Sequence, residues 1–151
     1  MNAFTMQDMT AYFISIPANK LELWMWMESE RLLHPVFREF YAERDVVYEE
    51  RRMRTDDAPR MRLYEQLSAV QFVASPYRRP IIGWMSDLEA MKPQDARDFY
   101  RRWYRPANAA VVIVGDVDVD KVLAWAQDIY GAIEPGEVPA RKPRVEPEQN
   151  G

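Results

Sequence analysis

Two carboxylates spaced for joint work stand out in the stretch Phe40-Tyr41-Ala42-Glu43-Arg44-Asp45-Val46-Val47-Tyr48-Glu49-Glu50-Arg51-Arg52-Met53. In a helix, at about 100° per residue, Glu43 and Glu50 come within about 20° of each other, two turns apart, with Val46 and Val47 between them. A half-apolar face carrying two carboxylates invites a compensating charge. Burying an ionised carboxylate costs several kcal/mol unless a metal, a cation or a raised pKa offsets it. A divalent metal is one such partner. The ordinary alternative is a charged helix in which Arg44, Arg51 or Arg54 pairs with the glutamates at the surface. The helix alone leaves both readings open.

Other potential metal donors are scarce. The chain has no cysteine and one histidine, His34, so thiolate sites and disulfides are excluded and a two-imidazole zinc site cannot be made from this chain alone. His34 stands at a junction between helical stretches and reads as a structural or surface residue. The cluster Trp24-Met25-Trp26-Met27 reads as helix core, and the pairs Arg78-Arg79 and Arg101-Arg102 read as solvated or ion-paired. Gly115-Asp116 lacks the glycine pattern of a dinucleotide site. A formal net charge of -4, with basic residues interleaved among acidic ones, argues against nucleic acid as a partner. No run approaches the roughly 18 to 20 apolar residues of a membrane span.

The elements that must position the carboxylates can be read from pattern. At 151 residues and 48% hydrophobic content, one domain with its own core is expected. Residues 2–6 and 10–16 read as a hairpin turning at Gln7-Asp8, with Tyr12, Ile14 and Ile16 on one face. Pro17 and Asn19 open a mostly buried helix to about Leu33. Pro35 fits the first turn of the carboxylate-bearing helix, which runs through Arg54. A third helix covers about 60–72, a loop spans 75–83, and a helix from Pro93 ends before Pro106. Residues 109–114 read as a strand, and Asp118 caps a last helix closed by Gly131 in a left-handed conformation. The predicted class is α+β, with helices packed on one side of a mostly antiparallel sheet. Three strands make a thin sheet, which predicts missing strands on the N-terminal side. Residues 1–134 form the domain, and 135–151, with prolines at 135, 139, 143 and 147, form an extended linker toward a second domain.

Taken together, these blocks resemble the pitrilysin/insulinase family of zinc metallopeptidases. The run from Glu43 to Glu50, followed by Asp57-Ala58-Pro59, is similar to the family's downstream zinc-ligand helix. Asn2-Ala3-Phe4-Thr5 resembles its Asn-Ala-x-Thr strand, and the run from Ile16 to Leu23 resembles the helix entry that comes next. Ser75-Pro76-Tyr77 to Gly83 resembles a Pro-Tyr-x-x-Pro-x-x-Gly loop, and the run from Phe99 to Asp118 the closing strand and helix. The order and spacing agree from residue 2 to about 134.

The resemblance implies Glu50 as the zinc ligand, Glu43 as a supporting carboxylate near the site, and Asn2, Ala3, Phe4 and Thr5 as a strand to which an extended peptide substrate adds by backbone pairing. For that last role an ordinary edge strand is an equal alternative. In the family, two imidazoles and the general base come from a His-x-x-Glu-His helix, and zinc so held activates a water for attack on a peptide carbonyl. This chain lacks that motif. The implied function is a fragment of a zinc-dependent endopeptidase, inactive alone and binding little or no zinc. A non-catalytic partner or scaffold subunit of the same family is the alternative. Expected partners are a peptide or protein substrate, a second homologous domain or subunit, and a second copy joined through the exposed sheet edge. Exported or periplasmic bacterial relatives suggest the same compartment.

Overall fold

The computed structural model describes residues 1–138, 140–141 and 143–149. In chain order the elements are β1 (Asn2–Thr5), β2 (Thr10–Phe13), α1 (Leu21–Leu33), α2 (Phe40–Arg51), α3 (Pro59–Gln71), α4 (Met85–Ala90), α5 (Pro93–Trp103) and α6 (Val119–Tyr130). A π-helical turn, Arg52–Asp56, continues α2, and short 3-10 turns lie at Ala18–Lys20, Pro76–Arg78 and Pro106–Asn108. The chain divides into two compact units.

The first unit comprises Met1–Asn2, Phe13–Phe37 and Gln94–Ala140. Here α1 packs on α6. Leu21, Met25 and Ser29 recur every four residues, which places them on one stripe of α1, and all three are buried. Tyr130 donates its hydroxyl to the Met25 carbonyl at 2.9 Å, and burial pushes this phenol up to about 12. From α5, Tyr100 donates to the Arg31 and Leu32 carbonyls at 2.9 and 3.2 Å, satisfying groups that the end of α1 leaves without helical partners. Asp118 caps α6 by accepting from the Lys121 amide at 3.1 Å. Replacing Asp118 with Ala is expected to cost about 1 kcal/mol. Urea unfolding followed through Trp125 on α6 checks this, and an unchanged midpoint would discount the cap.

The second unit comprises Ala3–Tyr12, Arg38–Pro93 and Arg141–Gly151. It holds the hairpin, α2 against α4, and α3 against the π-helical turn. Among its described residues Leu88, Arg51 and Thr55 are buried, so an ion-bearing side chain lies where an apolar one is usual. The hairpin is tied to the Pro76–Arg78 turn by the Tyr77 hydroxyl, which donates to the Asp8 carboxylate.

Several expectations are corrected. Among the described residues the sheet has two strands, β1 and β2, and the helices pack chiefly on one another, so the chain is helix-rich and has no helix layer over a broad antiparallel sheet. The apolar run 109–114 is not a strand; Val112 and Val114 are 78% and 91% exposed. β-propensity expresses itself only where a neighbouring strand completes the ladder, and among the described residues no strand lies beside this run. Pro35 precedes an irregular stretch, and α2 starts at Phe40. Only one stripe of α1 is buried, with Trp26 55% exposed. The short helix α4 is additional, and Gly131 ends α6 in right-handed geometry (φ -65°).

Candidate functional site

On α2 the two glutamates lie seven residues apart, as the helical spacing requires. Glu43 is exposed and Glu50 is partly exposed. Between them Val46 is 60% exposed and Val47 half-buried, so the face is open to water. Glu50 pairs with Arg54 at 2.6 Å across one turn. That arginine is itself exposed, and such a pair contributes at most about 1 kcal/mol. Among the described residues the Glu43 carboxylate has no ion-pair partner. The surface-pair alternative therefore holds for Glu50 and not for Glu43.

The other arginines of this stretch are committed elsewhere. Arg44 lies over the Tyr41 and Tyr48 rings, 5.0 and 5.4 Å from their centroids, and donates to the Met91 carbonyl at 3.3 Å. Arg52 pairs with Glu49 at 2.7 Å and Asp57 at 3.2 Å. Arg51 is the feature that spacing did not reveal. It is 5% exposed and forks onto Glu65 of α3, with N–O distances of 2.9 and 3.1 Å. It also donates to the Gly83 carbonyl at 2.7 Å. Those hydrogen bonds to Glu65 raise the guanidinium pKa further and keep it charged. Gly83 sits at φ +86°, the left-handed region that favours glycine, and this turn presents its carbonyl to Arg51. A buried arginine fixed by a carboxylate and a carbonyl thus secures the last turn of α2, directly after Glu50.

The strand β1, with Asn2, Ala3, Phe4 and Thr5, is exposed along its length and pairs with β2, where the Thr5 and Thr10 hydroxyls are 3.3 Å apart. His34, just past the end of α1, lies 3.1 Å from Glu30 of that helix, with its side chain 71% exposed. Among the described residues no group of three or more His, Cys, Asp or Glu side chains could hold a metal ion. Two carboxylates without an imidazole beside them do not complete a zinc set. The donor chemistry of α2 therefore fits one edge of a metal site and not a whole one.

Known proteins resemble this chain over most of its length. The family described as Peptidase M16 inactive domain matches residues 90–151, a stretch that includes α5, α6 and the residues C-terminal to α6, while α2 lies upstream of it. The zinc protease PqqE of Helicobacter pylori is 36% identical over 135 residues, which are 88% of this chain and 30% of that protein. The probable zinc protease PqqL of Haemophilus influenzae is 36% identical over 129 residues, 82% of this chain and 14% of that protein. Among solved structures, a protease from Helicobacter pylori superposes with a TM-score of 0.89 at 34% identity, covering 99% of this chain and 37% of the other. The first half of the periplasmic protease PqqL from Escherichia coli gives 0.80 at 28% identity, covering 98% and 32%. This chain thus spans less than a third of the length of the curated relatives it matches.

Proposed function

Because the chain belongs to the pitrilysin (M16) family of peptidases, we propose that it is the stretch of a zinc-dependent endopeptidase that supplies the carboxylate side of the metal site and is inactive alone. Glu50 is the metal ligand in this reading and Glu43 the supporting carboxylate. Strand β1, Asn2–Thr5, offers the pairing edge for an extended substrate. The observation that carries it is the helix α2, which displays both carboxylates on an open face while the neighbouring buried arginine is neutralised by Glu65 instead of by either of them. The imidazoles that would complete the site come from outside this stretch.

A second homologous domain completes the enzyme in this reading, supported by the structural match to one half of PqqL. The reading of 135–151 as a linker goes with it, with residues 139, 142, 150 and 151 lying outside the described residues. Self-association through the hairpin is supported by exposed Phe4, Met6, Met9, Tyr12 and Phe13 on its two strands and turn. A periplasmic setting rests on that same neighbour, which is a periplasmic protease. The alternative, a non-catalytic partner subunit of the same family, draws support from the inactive-domain match over residues 90–151.

Zinc stoichiometry decides between them. Elemental analysis and peptide hydrolysis are to be run on this chain and on a form extended upstream to include the neighbouring segment. Little zinc and no hydrolysis are expected here, with one zinc per chain and activity in the extended form. An extended form that lacks both would leave only the partner-subunit reading.

A further inference from the structure

Segment 143–149 forms no helix or strand, yet it is seated on the second unit. Glu146 seats it. One carboxylate oxygen accepts from the Val73 amide at 2.9 Å, and the other accepts from the Ala74 amide at 2.9 Å and from the Ser75 amide. Three successive backbone N–H groups converging on one carboxylate form the concave anion seat known as a nest. Arg78 faces the same carboxylate and braces the seat by donating to the Val73 carbonyl at 3.2 Å. Together with Arg79 and Arg144 it lines a hollow of about 250 Å³ beside the seat. Farther along, Gln149 donates its side-chain amide to the Gln71 carbonyl at 2.6 Å. Apolar burial contributes little, because Val145 is 87% exposed. The attachment is therefore polar and local, centred on one side chain.

Proline restricts the backbone on both sides of the anchor. Pro143 and Pro147 each fix their own φ, which lowers the entropy that the segment loses on docking. We propose that the amides of residues 73–75 form a carboxylate receptor for a proline-flanked acidic strand, and that segment 143–149 is its resident occupant, a strap fastened by Glu146 and replaceable by the same motif supplied in trans. The seat recognises a glutamate side chain on an extended peptide. The amide dipoles, that of Ser75 foremost, hold the Glu146 carboxyl below its ordinary range. The direction of the pH dependence comes from that depression: fastening is complete above the ordinary glutamate pKa and is lost as pH falls through the lowered one.

The test is made on the full chain by amide NMR and hydrogen exchange. In Glu146→Ala, protection of the Val73, Ala74 and Ser75 amides should fall about tenfold or more, the scale of a charge-assisted hydrogen bond. Protection of the Lys121 amide, which depends on Asp118, should stay unchanged and so report an intact fold. Added in excess to that variant, a peptide Pro-Arg-Val-Glu-Pro-Glu-Gln should restore the three amide resonances, and the same peptide with Gln at its first glutamate should not. Unchanged protection in Glu146→Ala would overturn the strap. Equal rescue by both peptides would overturn the carboxylate receptor.

Discussion

If Glu50 is the ligand proposed above, Glu50→Gln in the upstream-extended form of the protein is expected to lower zinc affinity by at least about 100-fold and to abolish peptide hydrolysis, since a neutral amide then replaces an anionic donor. Glu43→Gln should leave zinc in place and reduce turnover, within the roughly 10- to 100-fold range seen for groups that support a metal's ligands. The separation matters because both residues lie on one open face of α2 and a general disruption of that helix would move both readouts together. Folding should not confuse the result. The Glu50–Arg54 pair is exposed on its arginine side, and breaking it costs at most about 1 kcal/mol. Competition with a zinc chelator and a peptide cleavage assay check the two variants. Full zinc retention by Glu50→Gln would remove this residue from the metal site and leave the surface ion pair as its whole role.

How legible this was in the sequence depended on whether a signal was local. The helix limits of α1, α3, α5 and α6 come from Pro93, Asp118 and the periodic apolar positions, all of which act within a few residues. The spacing of Glu43 and Glu50 is equally local and survived intact. Non-local features were invisible. The run 109–114 has the composition of a strand, yet pairing needs a partner that composition does not supply. The length of α1's apolar surface suggested burial, but only the stripe of Leu21, Met25 and Ser29 is covered, because α6 packs along a single side. Helical spacing alone makes Arg51 a surface pairing candidate for the glutamates of its own helix. Its hydrogen-bond partners sit fourteen and thirty-two residues away, on α3 and in the Gly83 turn, where helical spacing gives no hint, and only the looser contact with Asp56 at 3.5 Å is local. Glu146 is the same kind of case, a charge in a proline-spaced stretch whose amide partners lie more than seventy residues back.

Arg51 carries the largest stability effect expected in the second unit. Its side chain and that of Glu65 are 6% and 9% exposed, so each depends on the other for compensation of a charge removed from water. Arg51→Met should destabilise this unit by about 3–5 kcal/mol, because the Glu65 carboxylate and the Gly83 carbonyl then lose their donor inside the fold. The double variant Arg51→Met with Glu65→Leu should recover most of that loss, since paired replacement of a buried ion pair by apolar groups is often neutral or stabilising. Surface pairs such as Arg52–Glu49 behave differently, and Arg52→Met should cost at most about 1 kcal/mol. Urea midpoints for the parent protein, Arg51→Met, Glu65→Leu and the double variant close a double-mutant cycle that measures the coupling. A cost below about 1 kcal/mol for Arg51→Met would show that water reaches the pair. The consequence extends to the carboxylate face, because Arg51 fixes the final turn of α2 on which Glu50 sits. In the extended form, Arg51→Met should therefore weaken zinc binding in step with the loss of amide protection along that turn. Zinc binding that stayed constant while the turn loosened would show that the metal site orders Glu50 without help from the buried clamp.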